Sequence, residues 1–189
     1  MTVIRSIIFD FFDVFRTDSY KAWLAKNNFE RTGVFAEASN LSDAGKIDNT
    51  EFLRLISEAA GWTVTHEEID TNAVVNHEMV DFARELKVMY ATSLLSNAPS
   101  EFLRAQLHLH KLDDLFDEVF VSAEMGVIKP SPEAFQYVLK AIDTAPSETL
   151  FIDDNPHNVE AAKALGIVGI QFTSVTQLKA DLDAAGISY

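Results

Sequence analysis

Short runs of β-branched and aromatic residues recur along this chain, and helical periodicity fills the stretches between them. The runs fall at residues 3–9, at Ser93-Leu94-Leu95, at Glu118-Val119-Phe120-Val121, at Leu150-Phe151-Ile152 and at Ile167-Val168-Gly169-Ile170. Nearly continuous apolar strands are buried on both faces, and strands that alternate with helices build a parallel sheet covered on both sides. Met79, Phe82, Ala83 and Leu86 repeat at i, i+3, i+4, i+7, as do Phe135, Val138, Leu139 and Ile142 behind Pro132. Both sets predict helices lying on the sheet. A further helix is expected from Asn158 to Leu165, closed by Gly166.

Residues 18–76 break this rhythm. No run there reads as a strand, whereas Asp48-Asn49-Thr50-Glu51 and Thr65-His66-Glu67-Glu68 form capping boxes that start helices, the first closed by Gly61. The economical division is an α/β core of residues 1–17 and 77–189 with a small helical insertion of residues 18–76 after the first strand. At 189 residues the chain suits one core with such an insertion.

Composition narrows the partners. With 15 Lys+Arg against 29 Asp+Glu, the formal charge of −14 repels a phosphate backbone or an anionic membrane surface, so neither nucleic acid nor membrane is expected as a partner. The absence of cysteine excludes disulfides, thiolate metal sites and thiol nucleophiles, and fits a reducing, cytoplasmic compartment. Met1-Thr2-Val3-Ile4-Arg5 leads straight into the first strand without signal-peptide architecture, and no apolar run approaches a membrane span. A monomer or a homodimer is expected.

The residues that carry chemistry fall just after expected strands, where open parallel sheets bind ligands. Asp10 ends the first run in Phe9-Asp10-Phe11-Phe12-Asp13, where a carboxylate can coordinate a divalent cation or attack an electrophile. Alone, it reads equally as a turn Asp. Ser96-Asn97 ends the second run ahead of a helix near Pro99, a combination that offers an anion a hydroxyl and backbone N–H groups, or caps the helix. Lys129 sits between Gly126 and two prolines, held in a stiff loop before a helix. Asp153 and Asp154 emerge together from the fourth run and repel each other unless a cation or base offsets them.

Taken in order, the strand-end Asp, helical insertion, Ser-Asn, Gly-x-x-Lys-Pro and Asp-Asp-Asn resemble the haloacid dehalogenase-like hydrolase superfamily across nearly the whole chain. The resemblance implies a Rossmann-like core with helices on both faces and a C1-type helical cap, with Gly45-Lys46-Ile47-Asp48 through Phe52 as a cap segment of its small phosphatase members. It implies Asp10 as nucleophile, Lys129 as the charge-stabilising catalytic lysine, and Ser96 and Asn97 as phosphate-binding residues. It further implies Mg²⁺ on Asp10, Asp154 and the backbone carbonyl of Phe12, with Asp153 in support. The activity implied is hydrolysis of a small phosphorylated substrate through an aspartyl phosphate.

One position departs from that pattern. Phosphatases of the superfamily usually carry a second Asp, the general acid-base, where this chain has Phe12. A phenyl ring transfers no proton, and such help is typically a factor of ~10²–10⁴ in rate. The departure favours substrates whose leaving groups need little protonation, such as glycosyl or acyl phosphates. Alternatives are a catalytically lapsed protein that binds metal and phosphate, and a 2-haloacid dehalogenase, against which the Asp153-Asp154 pair argues. Asp13 and His157 are candidate substitute acids. Arg16, near the hinge, reads as a salt-bridge partner or a contact for a second anionic group; Trp23 and Trp62 read as packing for the insertion, and His108 and His110 as a helix terminus.

Overall fold

A computed structural model of the chain describes residues 3–71 and 73–189; Met1 and Thr2, which open the expected leaderless terminus, lie outside them. Five parallel strands form one sheet: β1 (Ser6–Phe9), β2 (Ala91–Ser96), β3 (Glu118–Val121), β4 (Thr149–Asp153) and β5 (Val168–Gln171), in the spatial order β3-β2-β1-β4-β5. Around them lie α5 (His77–Lys87), α6 (Ser100–Leu109), α7 (Ser122–Met125), α8 (Pro132–Ala141), α9 (Pro156–Ala164) and α10 (Val175–Ala185), while α1 (Ser19–Lys26), α2 (Gly33–Asp43), α3 (Asn49–Ala60) and α4 (His66–Asp70) occupy the stretch between β1 and α5. This is the doubly wound α/β architecture expected from the alternating runs.

Both sheet faces are covered, which explains why the strands are apolar throughout. On one face Ile7, Phe9, Leu94, Leu150 and Ile152 join Phe82 of α5 and Leu178 of α10 in a single buried cluster. On the other, Ile8, Leu95 and Phe151 pack with Phe135 and Val138 of α8 and Ala162 of α9. The alternation of residues 7, 8 and 9 between clusters is the two-residue period of a strand expressed in an all-apolar run.

The first strand is shorter than expected. It starts at Ser6 because Ser6 pairs with Ala91 on one side and Thr149 on the other, and both neighbours begin there. Val3 therefore overhangs, 70% exposed. Likewise α9 begins at Pro156 rather than Asn158, with Asn155 as N-cap accepting the His157 N–H at 3.0 Å.

Helices α1 to α4 have an apolar cluster of their own, built on Trp23, Leu24, Ala38, Ile56 and Val64. Their ends match the sequence signals. Asp48 Oδ1 accepts the Glu51 N–H at 2.8 Å, Thr65 Oγ1 accepts that of Glu68 at 3.2 Å, and Gly61 closes α3 at φ +87°. The chain leaves and returns at adjacent points: Thr17 N–H donates to Val74 O at 3.0 Å and Asn76 N–H to Phe15 O at 2.8 Å. Between those bonds, Arg16 is buried and its guanidinium holds both Asp70 carboxylate oxygens at 2.6 and 2.7 Å. Arg16 is thus the structural partner among its two readings.

Candidate active site

The spatial order places β2 and β4 on opposite sides of β1, so the chain reverses direction across the sheet at β1. A crevice opens at the carboxyl ends of strands at such a reversal, and ligands bind there. Register supplies the residues: Phe9 pairs with Ile152, so Asp10 and Asp153 follow side by side, and the Asp10 N–H donates to Ile152 O at 2.8 Å.

Lys129 completes the centre. Its ammonium donates to Asp10 Oδ1 and to Asp153 Oδ2, each at 2.7 Å, with both carboxylates and the lysine buried. Asn97 holds the lysine loop in place, since its Nδ2 donates to Lys129 O and its Oδ1 accepts the Lys129 N–H, both at 2.8 Å. The Asn97 side chain is thereby committed to the loop. The Ser96 hydroxyl is buried at the end of β2 and has no hydrogen-bond partner among the described residues.

Asp153 is saturated with donors. The Asn155 N–H reaches Oδ1 at 2.8 Å, and Asn158 Nδ2 reaches both oxygens at 3.1 and 3.0 Å, in addition to Lys129. Asp154 is freer; the nearest cation is Lys21 Nζ at 3.6 Å. Burial raises Asp10 well above the ordinary carboxylate range, opposed by Lys129 and reinforced by Asp153 and Asp154. Burial, with the charge of Asp153, pushes Asp154 up to about 6. Burial weakens the charged form of Lys129, but Asp10 and Asp153 overcome it and raise the lysine above its usual value.

Three carboxylates beside one ammonium leave negative charge in a buried place. Asp10, Asp153 and Asp154 each offer an oxygen, all within 4.8 Å of one another. An all-oxygen, anionic donor set of this kind fits a hard divalent cation such as Mg²⁺. Because Asp153 is already filled, Asp10 and Asp154 are the members free to ligate.

A cleft of about 720 Å³ opens over these groups, walled by Asp10, Phe12, Lys129 and Asp154 from the core and by Arg31 and Asp43 from the insertion. A smaller cavity of about 100 Å³ adjoins it, with Phe12, Tyr20, Phe52 and Phe102 on its walls. Phe12 stacks on Phe102 with ring centroids 6.3 Å apart and planes 15° from parallel.

Of the candidate acids, Asp13 is spent structurally: Oδ1 accepts the Asp18 N–H at 2.9 Å and Oδ2 the Lys21 ammonium at 2.6 Å. His157 is exposed and lies on neither cavity wall. Sequence reasoning missed Asn158, read only as the start of a helix, along with Lys21, Arg31 and Asp43. The first had a signal, an amide one helical turn beyond the acid pair; the others sit in the insertion, whose side-chain directions no periodicity reveals.

A strand-end aspartate, a buried lysine and an acid pair meet at the reversal of a doubly wound sheet. Residues 4–166 match the model of the haloacid dehalogenase-like hydrolase family, and the chain belongs to it. It is 42% identical over 96 residues to a sesquiterpene phosphatase of Aspergillus oryzae, spanning 50% of this chain and about half (49%) of that protein. A D-ribitol-5-phosphate phosphatase of Bacteroides thetaiotaomicron is 27% identical, covering 89% of this chain and 92% of the relative. Among solved structures, a HAD family enzyme from B. thetaiotaomicron superimposes with a TM-score of 0.77 at 24% identity, over 94% of this chain and 98% of that one. An Asp-to-Ala mutant of that enzyme, solved with magnesium and inorganic phosphate, superimposes with a TM-score of 0.72 at 25% identity, over 93% and 98%.

Proposed function

We propose that the protein is a Mg²⁺-dependent phosphoric monoester hydrolase acting on a small phosphorylated metabolite through an aspartyl-phosphate intermediate. The observation that carries this reading is the Asp10–Lys129–Asp153 chain of 2.7 Å contacts with Asp154 beside it. Two relatives named as phosphatases support it.

In this reading residues 18–76 cap a core of residues 1–17 and 77–189. Asp10, Asp154 and the Phe12 carbonyl hold the cation, which when bound offsets the repulsion between a carboxylate nucleophile and a phosphate. Lys129, Ser96 and the Asn97 N–H hold the phosphoryl oxygens as charge redistributes in the transition state. Lys129 also keeps Asp10 oriented, and Asp153, fixed by Asn158, keeps Lys129 oriented. The organic part of the substrate lies toward the aromatic wall of Phe12, Tyr20, Phe52 and Phe102. Position 12 is aprotic, so the core by itself favours leaving groups that depart as stable anions; alkyl esters require a proton from elsewhere in the cleft.

The test is direct. Purified protein with Mg²⁺ is given an aryl phosphate, an acyl phosphate and a 2-haloacid, alongside Asp10→Asn. Phosphate release from the first two, reduced ~10³-fold or more in the variant, is the expected outcome. Turnover of the haloacid alone moves the protein to dehalogenation, and phosphate binding without turnover marks a lapsed enzyme.

A further inference from the structure

The core lacks a proton donor at position 12, and of the two substitutes suggested by the sequence Asp13 is fully engaged and His157 is not on the cleft wall. The walls shared by the main cleft and its smaller neighbour contain three titratable side chains: Asp18, Arg31 and Asp43. Arg31 is a permanent cation and donates no proton near neutrality. Asp18 is the N-cap of α1, its Oδ1 accepting the Lys21 N–H at 3.0 Å and its Oδ2 facing Arg31 at 3.4 Å. Asp43 is the remaining acid.

Its position is built rather than incidental. Asp43 ends α2, and its backbone carbonyl accepts the hydroxyl of buried Ser122, which itself accepts the Ala98 N–H at 2.9 Å. Two residues on, Gly45 at φ +66° lies so close to α7 that a Cβ there would sit 2.6 Å from Ala123 O. The end of α2 is therefore pressed onto the core beside β2. The Asp43 side chain is only 14% exposed. Around it are the Ser39 hydroxyl at 3.4 Å and the Arg31 guanidinium at 3.8 Å, with the charges of Asp18 and Lys129 further off. No backbone N–H of its own helix cap occupies the carboxyl, in contrast to Asp18.

We propose that Asp43, carried by the insertion, is the general acid-base that replaces the aspartate missing at position 12. The inference rests on the hydrolase reading above and assigns its proton. As Asp10 attacks phosphorus, the bond to the ester oxygen breaks with its electron pair going to that oxygen, which takes the Asp43 proton and departs as a neutral alcohol. Asp43 is left as a carboxylate. A water then attacks the phosphorus of the aspartyl phosphate, giving its proton to Asp43; the bond to Asp10 breaks, and phosphate, the Asp10 carboxylate and a protonated Asp43 are restored. Burial, opposed by Arg31, pushes Asp43 up to about 7, where both forms are populated.

The experiment compares wild type, Asp43→Asn and the double variant Phe12→Asp/Asp43→Asn, with Mg²⁺, on p-nitrophenyl phosphate and propyl phosphate. The expected result is a fall of ~10² or more in the propyl-to-nitrophenyl ratio of kcat/KM in Asp43→Asn, with loss of the alkaline limb for the propyl ester. The double variant regains propyl ester hydrolysis, because a carboxyl at position 12 restores the donor. Equal losses on both esters, a wild type inert toward the propyl ester, or no regain in a folded double variant each overturn the assignment. The hydrolase reading fails separately, if nitrophenyl turnover survives Asp10→Asn.

Discussion

At the scale of single residues, the centre is governed by how few charges balance how many. Lys129 alone offsets buried Asp10 and Asp153, and removing one partner of a buried ion pair typically costs ~3–5 kcal/mol because the other charge is left uncompensated. Lys129→Met is therefore expected to lower the unfolding free energy, read from denaturant titration, by that order, and saturating Mg²⁺ to recover part of it; an unchanged midpoint would contradict the balance described. Asp43 gives a pH signature. Its folded value, about 7, is raised above the ordinary 3.8, so between those values the native state binds a proton that the unfolded chain has lost. Stability from this group is full below about pH 4 and declines as pH rises to about 7, by at most ~4 kcal/mol at 1.36 kcal/mol per pH unit. In a melting series, Asp43→Asn should flatten the decline over that window, and an identical slope would show that the carboxyl is not held protonated. Asp10, Lys129, Asp153 and Asp154 were legible because each follows a buried strand or a stiff loop. Asn158 was not, because an amide in the first turn of a helix reads first as a cap.

At the scale of elements, the α2–α3 turn packs directly on α7 of the core. Gly45 holds a left-handed conformation and leaves no room for a methyl group against Ala123 O at 2.6 Å. Gly45→Ala must shift the turn off α7, at a cost of ~1–3 kcal/mol. With Asp43 as the proton donor proposed above, the expected consequence is a lower kcat on the propyl ester with the sheet core's circular dichroism intact. Ser122→Ala should act in the same direction more gently, since it frees the Asp43 carbonyl without a clash. Strand and helix positions were readable from periodicity and capping boxes. Strand length was not: β1 begins where β2 and β4 begin, a tertiary fact absent from residues 3–5. Helix α7, only four residues long, leaves too few positions for a period to register.

For the whole molecule, a cation held by the carboxylate cluster at the sheet reversal, as proposed above, would link its binding to stability. A ligand that binds only the folded state at 100 times its Kd adds ~2.7 kcal/mol, which for a domain of this size raises Tm by ~5–10 °C. Mg²⁺ should produce a rise of that order, EDTA should reverse it, and Asp154→Asn should abolish most of it; a rise untouched by that substitution would place the cation elsewhere. The two-faced sheet was legible as a whole because apolar runs with no polar alternation require cover on both sides. The cleft was not, since its outer wall comes from residues that meet Asp10 only after the chain has folded.

The paired threads at Thr17–Val74 and Phe15–Asn76, pinned by Arg16 on Asp70, make the exit and re-entry of the insertion a single narrow neck. A segment joined through such a neck is replaceable without disturbing strand register. On the proposed reading, substitution of another small helical head at these points would alter which substrates are admitted while the sheet keeps its carboxylates in place, so selectivity and catalytic chemistry would be free to change at different rates.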